Sequence, residues 1–376
     1  SLATCMKENL QVAIDAGADI RYTTPVVDLI VDDSGAVTGV YAQAHGSKKY
    51  IKCNAKKGVV IATGDYLANE EMTKFFQPNN IENEIPILCV AMDADGEYAL
   101  QGDALKMLAW HGAEIERSHA SIIHHMGAGA GADGRGVIGN NGYLWLNKRG
   151  KRFMNEADFN AIGAQVQRQP KGLYCALYGA NYEEIVKRGG TNHGGTDFGQ
   201  ETYVAQWKED MTHVVEAGAD GYLVRHGCLT ERANMAQTRM YGANDLKTLA
   251  GYLGYEGEAV QNFVDSVAAY NELVASGVDT QYGKKSDFLL PIEAPYYAAV
   301  DTSVGTGATA LTLAGLVTDG DYNVLGDDDE PIEGLYAIGN CCGQRFALTY
   351  PGILAGNSMG QAMTNGYVCG KIVGNL

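Results

Sequence analysis

The sequence predicts an α/β protein interrupted by an α+β insertion, and three observations carry that reading. The run GVVIATG at 58–64 is short, wholly apolar and ends in a small-residue turn, the pattern of a strand buried on both faces of an α/β sheet. From about residue 113 the texture changes to polar, Gly-rich stretches, such as GAGAGA at 127–132 and GGTNHGGT at 189–196, and two helices close this region. After residue 298 alternating strands return, TLAGLVT at 312–318 and LYAIGN at 335–340 among them. Residues 1–112 and 299–376 therefore read as two parts of one domain, with 113–298 inserted between them.

Each element has a local cause. Leu10 and Ile14 lie one helical turn apart within 5–16 and Gly17 follows as a stop, which predicts a short amphipathic helix. VVDLIV at 26–31 and AVTGVYA at 36–42, joined by DDSG, predict a β-hairpin. Helices are predicted over 66–80 and over 102–112, the second opened by Gly102 and Asp103. In the insertion, helices are predicted over 246–254 and 256–276, the latter with Val260, Phe263, Val264, Val267 and Tyr270 on one stripe. The last helix, about 357–372, has Gly356, Gly360, Gly366 and Gly370 in its run, which predicts a close approach to another backbone. Asn357, Gln361, Asn365 and Lys371 interrupt any apolar span there, so a membrane-dimer reading of the spacing fails. No repeat of 20–50 residues is evident.

Bulk properties set limits. A chain of 376 residues suits two domains, because single cores stop growing at roughly 250–300 residues. Apolar residues at 46% and charged residues at 19% exclude wholesale disorder. A formal charge of -17 leaves no broad basic surface to neutralise phosphates, which excludes nucleic acid as a partner. No apolar run reaches the roughly 20 residues needed to span a bilayer, so no integral membrane segment is expected. The eight cysteines show neither CxxC nor Cys/His ligand spacing and read as small buried thiols; a redox disulfide between Cys341 and Cys342 is the weaker alternative. His124 and His125 have no carboxylate or Cys at ligand spacing, so they read as loop residues facing a cleft and no metal is expected.

Two glycine motifs are set aside. GAGADG at 129–134 matches GxGxxG but has no parallel strand before it and no helix after it. GTGATA at 305–310 matches the GxGxxA form, yet strand-like sequence follows it. The stronger signal is a set of four segments in fixed order: VVIATGD at 59–65, GDA at 102–104, LYAIGN at 335–340 and GNSM at 356–359. Each ends a strand or opens a helix with small residues and offers bare backbone N–H groups to an anion.

Together with NKRGKRFMNE at 147–156, these segments resemble the family of FAD enzymes that includes soluble fumarate reductases, succinate dehydrogenase flavoproteins and 3-ketosteroid dehydrogenases. The resemblance runs over nearly the whole chain and is weakest at 171–245. It implies a Rossmann-like FAD-binding domain and an inserted cap that closes over substrate. It places Ala62, Thr63 and Gly64 near the adenosine and pyrophosphate, and Gly102 and Asp103 near the ribitol or flavin. Gly339 and Asn340 come where many relatives carry a glutamate, and Val26 near the adenine. Gly356, Asn357, Ser358 and Met359 would direct a helix N-terminus at the flavin's N1/O2 edge, stabilising negative charge there. Family members open with a strand, GxGxxG and a helix ahead of the point where this sequence begins, so the resemblance implies an FAD-binding domain incomplete at its N-terminus.

The family's reactions divide at the substrate positions. His119 falls where fumarate reductases have a substrate-binding histidine, but their catalytic arginine is matched by Asn160, a second histidine by Leu311 and a further arginine by Ile353. Carboxylates buried there without cations would cost several kcal/mol each, which argues against fumarate or succinate. TYPG at 349–352 looks instead like the ketosteroid dehydrogenases, whose tyrosine at this place sits beside the substrate carbonyl. Tyr350 is therefore the leading catalytic candidate, with Arg345 and Tyr143 as further acids. The expected function is hydride transfer between FAD and a C=C bond conjugated to a carbonyl, on an apolar, steroid-like or plant-derived small molecule, with reduction favoured. An electron donor or acceptor is required, and the compartment stays open. The alternatives are a non-catalytic ligand-binding fragment of such an enzyme and a fumarate reductase-type respiratory reductase.

Overall fold

The structure, a computed structural model, describes residues 2–82, 87, 92, 95–117, 119, 121–124, 144–157, 165, 168–170, 172–189, 199, 201–225, 237–301, 308–346, 350 and 356–376. Its first element is the helix Leu2–Asp15, stopped by Gly17 at a φ of 92°. The apolar stripe predicted to make this helix amphipathic is not buried: Met6, Leu10, Val12 and Ile14 are all exposed. Next comes the predicted hairpin, β1 (Val26–Val31) against β2 (Val37–Gln43), extended by β3 (Tyr50–Asn54) into an antiparallel three-stranded sheet. Asp32 closes the turn by accepting from the Ser34 and Ala36 N–H groups.

The apolar run after it forms β4 (Val59–Ile61), which pairs in parallel with β13 (Pro331–Ala337) through Leu335, Tyr336 and Ala337. With β12 (Asn323–Leu325) these make a three-stranded sheet in the order β12-β13-β4. β4 is thus an edge strand in the described sheet, and burial on both faces is only partly realised: Ile61 is 5% exposed and Val60 38%. Behind it pack Leu29, Val37, Tyr66, Leu105, Leu108, Leu316, Leu335 and Cys341 in one core.

The helix predicted over 66–80 starts later and breaks once. Asn69 caps Glu70–Phe76 by accepting from the Met72 N–H, and a short helix Pro78–Glu82 follows. Asp103–Trp110 is the second helix, with Gly102 as its left-handed N-cap.

A second core lies wholly within 144–300. It is built on an antiparallel five-stranded sheet of β6 (Leu144–Leu146), β7 (Tyr174–Tyr178), β8 (Tyr222–Arg225), β9 (Gln237–Ala243) and β10 (Tyr296–Asp301), ordered β6-β7-β10-β9-β8. Leu246–Leu253, capped by Asp245, and Glu258–Ser276 pack on it, and Phe263, Val267 and Tyr270 of the predicted stripe are buried. A separate two-stranded ribbon pairs β5 (Ser121–His124) antiparallel with β11 (Ala308–Thr312). The strand expected over 312–318 therefore ends at Thr312, and 313–318 continue through the single bridges of Leu316 and Thr318.

The closing helix runs Asn357–Asn375. Among the described residues its glycines meet no close backbone: a Cβ at Gly360 or Gly370 would meet nothing within 4 Å, and at Gly366 only the Ile338 side chain at 3.8 Å. Cys341 and Cys342 are free buried thiols, so the disulfide is not formed. GAGADG at 129–134 lies outside the described residues, as do 305–307 of GTGATA, whose last three residues, 308–310, begin β11.

The 147–156 segment is held by a buried ion cluster. Arg152 donates to Glu156 through Nε and Nη2, both at 2.9 Å, and to Asp279 through Nη1 at 3.1 Å and Nη2 at 2.7 Å. Lys284 Nζ lies 3.3 Å from Glu156 and donates to the Tyr270 hydroxyl at 3.2 Å. Burial raises the Asp279 carboxyl, but Arg152 and the Lys284 and Tyr282 N–H groups outweigh it and hold the pKa at about 2. Asp279→Asn, which leaves Arg152 short of its countercharge, is expected to destabilise the fold by about 3–5 kcal/mol. Since the folded pKa lies below the unfolded one, the wild-type contribution is present above about pH 4 and lost as pH falls towards 2. Urea unfolding of both proteins between pH 7 and pH 3 checks this, and the gap between them should narrow at the acid end.

Candidate functional site

The four small-residue segments converge. Each turns at a glycine in the left-handed region: Gly64 (φ 81°), Gly102 (67°), Gly339 (69°) and Gly356 (71°). At Gly102 the requirement is double, because a Cβ there would lie 2.6 Å from both Met72 Sδ and Tyr66 Cβ. Tyr66 follows the β4 turn directly, so this contact seats the Gly102 corner against it. The Ile338 N–H donates to the Ile61 carbonyl, which carries β13 alongside β4 up to the Gly339 corner.

Asn340 is the joint between the corners. Its Nδ2 donates to Asp65 Oδ2 at 3.4 Å, and its Oδ1 accepts from Ser358 Oγ at 2.7 Å and from Arg345 Nη1 at 3.1 Å. Asp65 is 1% exposed and also accepts from the Leu67 and Thr312 N–H groups. Burial pushes its carboxyl above the usual carboxylate range, against those bonds and the nearby charge of Arg345.

Arg345 sits at the centre. Its Nε donates to the Cys342 carbonyl at 2.7 Å and its guanidinium lies over the Phe346 ring. Nη2 is buried and has no hydrogen-bond partner among the described residues. Glu116 braces the loop before it by accepting from the Gln344 N–H at 2.8 Å, with Gln344 held at a φ of 57°. A side chain at Gly343 would meet that carboxylate at 2.7 Å, so the brace requires glycine. Burial raises the Glu116 carboxyl as well, again against Gln344 and Arg345.

Tyr350 is 8% exposed, packs edge-on to Phe346, and its hydroxyl accepts from the Ser358 N–H in the first turn of the closing helix at 2.9 Å. One N–H of that helix end is therefore taken by a phenol. His119 lies beyond Tyr66, whose hydroxyl is 2.7 Å from its Nδ1. Burial pushes the His119 imidazole below its ordinary value, against a hydrogen bond to the Glu116 carbonyl.

Of the sequence-predicted residues, Asn340, Ser358, Arg345 and Tyr350 thus meet in one polar cluster, with Gly64, Gly339 and Gly356 next to its members in the chain and Gly102 packed on Tyr66 beside Asp65. Ala62 and Thr63 are exposed at the end of β4, and Asn357 is half-buried beside Ser358. Asp103 is exposed and paired with Lys106 at 2.9 Å, and Met359 is 51% exposed. Val26 opens β1 at 43% exposure, in the first sheet rather than the cluster. Leu311 packs with Leu313 and Tyr350 in a small apolar group. Tyr143, Asn160, Ile353 and His125 lie outside the described residues, and of His124 only the backbone, in β5, is described. Asp65, Tyr66, Gln77 and Glu116 were missed; only Asp65 carried a signal, as the first charge after a small-residue turn at a strand's carboxyl end. No group of three His, Cys, Asp or Glu suited to a metal occurs among the described residues. Two open cavities, about 500 and 670 Å³, are lined by 151–282 and by 182–212 and belong to other surfaces.

A family model described as FAD binding domain matches residues 2–359. The chain is 27% identical over 99% of its length to 4-oxocyclohexanecarboxylate 2-dehydrogenase of Sinomonas cyclohexanicum, of which it covers 59%. It is 27% identical over 94% of its length to 3-oxosteroid 1-dehydrogenase of Mycolicibacterium smegmatis, again covering 59% of that protein. Among solved structures it resembles 3-ketosteroid-delta4-(5alpha)-dehydrogenase from Rhodococcus jostii RHA1, in complex with 4-androstene-3,17-dione, at a TM-score of 0.66 and 22% identity, over 97% of this chain and 62% of that one. The likeness to the solved structure is one of fold. The chain spans about three fifths of the length of each of these proteins.

The joint at Asn340 can be tested without any ligand. Asn340→Leu removes partners from Asp65, Arg345 and Ser358 at once and is expected to cost about 1–3 kcal/mol for each buried group left unpaired. Chemical denaturation of wild type and variant measures this; an unchanged midpoint would mean that the three groups find other partners.

Proposed function

Since this chain belongs to the FAD binding domain family, we propose that it is the greater part of an FAD-dependent oxidoreductase acting on CH–CH bonds, transferring hydride at a C=C bond conjugated to a ketone. The observation that carries the reading is the buried Nη2 of Arg345, which has no hydrogen-bond partner among the described residues and lies beside the Asn340 joint. A guanidinium N–H there would be left costly and idle unless a ligand oxygen completes it.

The residues present suit the flavin. The turn at Ala62, Thr63 and Gly64, the helix start at Gly102 and Asp103, the corner at Gly339 and Asn340, and the helix start from Gly356 to Met359 would hold it, with Val26 towards the adenine. When bound, FAD supplies hydride exchange at its ring N5. Arg345 would polarise the substrate carbonyl through Nη2. Tyr350 acts beside it: its oxygen already accepts from Ser358, so its hydrogen remains to be donated to the same oxygen. Tyr143 is a further acid and His119 a substrate contact. In this division 1–112 and 299–376 form the FAD domain and 113–298 the cap that excludes water.

The two relatives, an oxocyclohexanecarboxylate and an oxosteroid dehydrogenase by name, support a ring carrying a ketone as the substrate class. Among the four positions that would bind a dicarboxylate, only His119 is matched; Leu311 is an apolar core residue. An electron donor or acceptor of unspecified kind completes turnover. No helix among the described residues is long and apolar enough to cross a membrane.

The full-length protein is expected to purify yellow and, after anaerobic photoreduction, to be reoxidised by cyclic enones. Arg345→Lys, which loses the planar fork, is expected to lower kcat by about 100- to 1000-fold while flavin content is kept. A colourless protein would favour a non-catalytic ligand-binding fragment. Reoxidation by fumarate but not by enones would replace the reading with a respiratory-type reductase.

A further inference from the structure

Three segments lie side by side where the loop of Arg345 begins. Leu316 bridges antiparallel to Ile115 on one side and parallel to Cys342 on the other. The Glu116 N–H donates to the Gly315 carbonyl, the Leu316 N–H to the Cys341 carbonyl and the Gly343 N–H to the Leu316 carbonyl. The Glu116 side chain crosses from the first segment to the third, where its Oε2 accepts from the Gln344 N–H at 2.8 Å. Two glycines allow the crossing. A Cβ at Gly315 would lie 2.3 Å from the Cys341 carbonyl oxygen and hold those two segments apart, and one at Gly343 would lie 2.7 Å from Glu116 Oε2 itself.

We propose that Glu116 is a positioning residue for Arg345, the hydrogen-bond acceptor that fixes the Gln344 turn and so the direction of the guanidinium. That Arg345 polarises a substrate carbonyl rests on the functional reading above; that Glu116 sets its direction does not.

The link runs through the backbone. Gln344 is held at a φ of 57°, a region that residues with a side chain rarely adopt. This turn brings Arg345 back along the chain, so that its Nε donates to the Cys342 carbonyl at 2.7 Å and its Nη1 to Asn340 Oδ1 at 3.1 Å. Were Gln344 to relax into the right-handed or extended region, the next residue would swing away from both acceptors and carry Nη2 with it. Glu116 holds the turn by reach rather than by charge. Burial pushes its carboxyl upward, against the Gln344 bond and the nearby charge of Arg345, so an amide of the same length stands there at little cost. An aspartate keeps the charge but falls one methylene short. Gln344 is exposed, so in the absence of Glu116 water meets its N–H. The chain then folds, and the turn loses its anchor.

The test uses the full-length protein labelled with ¹⁵N-arginine and read without substrate, with Arg345→Lys assigning the Arg345 Nε–H signal by its loss. Wild type and Glu116→Gln are expected to share one position for that signal, in slow exchange with water. In Glu116→Ala and Glu116→Asp it is expected to move and to exchange at least about tenfold faster. With a cyclic enone, the Ala and Asp variants are expected to lose about 10- to 100-fold in kcat with KM within about twofold, and Glu116→Gln to restore it. If Glu116→Ala does not fold, Glu116→Asp carries the comparison. A folded Ala or Asp variant with the wild-type Arg345 signal overturns the proposal. So does a Glu116→Gln protein that behaves as Ala does while Asp matches wild type, because charge would then be the agent. A wild type that turns over no enone strikes the functional reading alone, and the signal comparison still decides the role of Glu116.

Discussion

One carboxamide holds the arrangement together. Asn340 donates to Asp65 at the end of β4 and accepts from Ser358 in the closing helix and from Arg345 in the loop between. Asp65 and Ser358 are too buried to fall back on water and Arg345 is half-buried, so these bonds are worth most as a penalty avoided. Small residues make the approach possible. At Gly102 a side chain would collide with Tyr66 and Met72, at Gly339 and Gly356 the left-handed backbone itself favours glycine, and Gly343 leaves room for the Glu116 carboxylate. Arg345 is held by the Cys342 carbonyl and Asn340, with no partner for Nη2 among the described residues, and Tyr350 is pinned by the Ser358 N–H.

Much of the framework was legible because its causes are local. The hairpin announced itself by apolar runs around a DDSG turn, and the helix Glu258–Ser276 by a stripe of Phe263, Val267 and Tyr270. The four corners could be read from small residues at strand ends, although nothing short of closure brings them together. Partners were not legible in the same way. Glu116 and Gln344 are 228 positions apart, and nothing near either residue signals the other. Gln77 ends a helix and looks like any exposed polar residue until Tyr66 is seen beside it. Spacing alone also misled: the glycines of the closing helix predicted a neighbour, but spacing cannot say what stands opposite, and the described surroundings leave Gly360 and Gly370 open.

The ion cluster of Arg152, Glu156, Asp279 and Lys284 has a different character from the Asn340 joint. Its two cations and two anions balance, its members are buried, and every hydrogen bond of Arg152 stays inside the 144–300 core. It steadies the base of that core. The Asn340 cluster sets one guanidinium against two carboxylates that burial pushes towards neutrality, and one of its donors has no partner among the described residues. An unsatisfied donor in a dry place is a poor way to build stability and a good way to build a site.

The parallel pairing of β4 with β13 also fixes an order of assembly. Asp65 and Asn340 are 275 positions apart, so this ladder closes a very long loop, whereas the five strands of the second sheet all come from 144–301. As the chain leaves the ribosome, the second sheet can complete itself while Leu335 has yet to be synthesised. The edge of β4 waits throughout that interval with its apolar face open. The corners around Asn340 are therefore among the last parts to form, and a nascent chain stalled before residue 335 would carry a finished antiparallel sheet and no cradle.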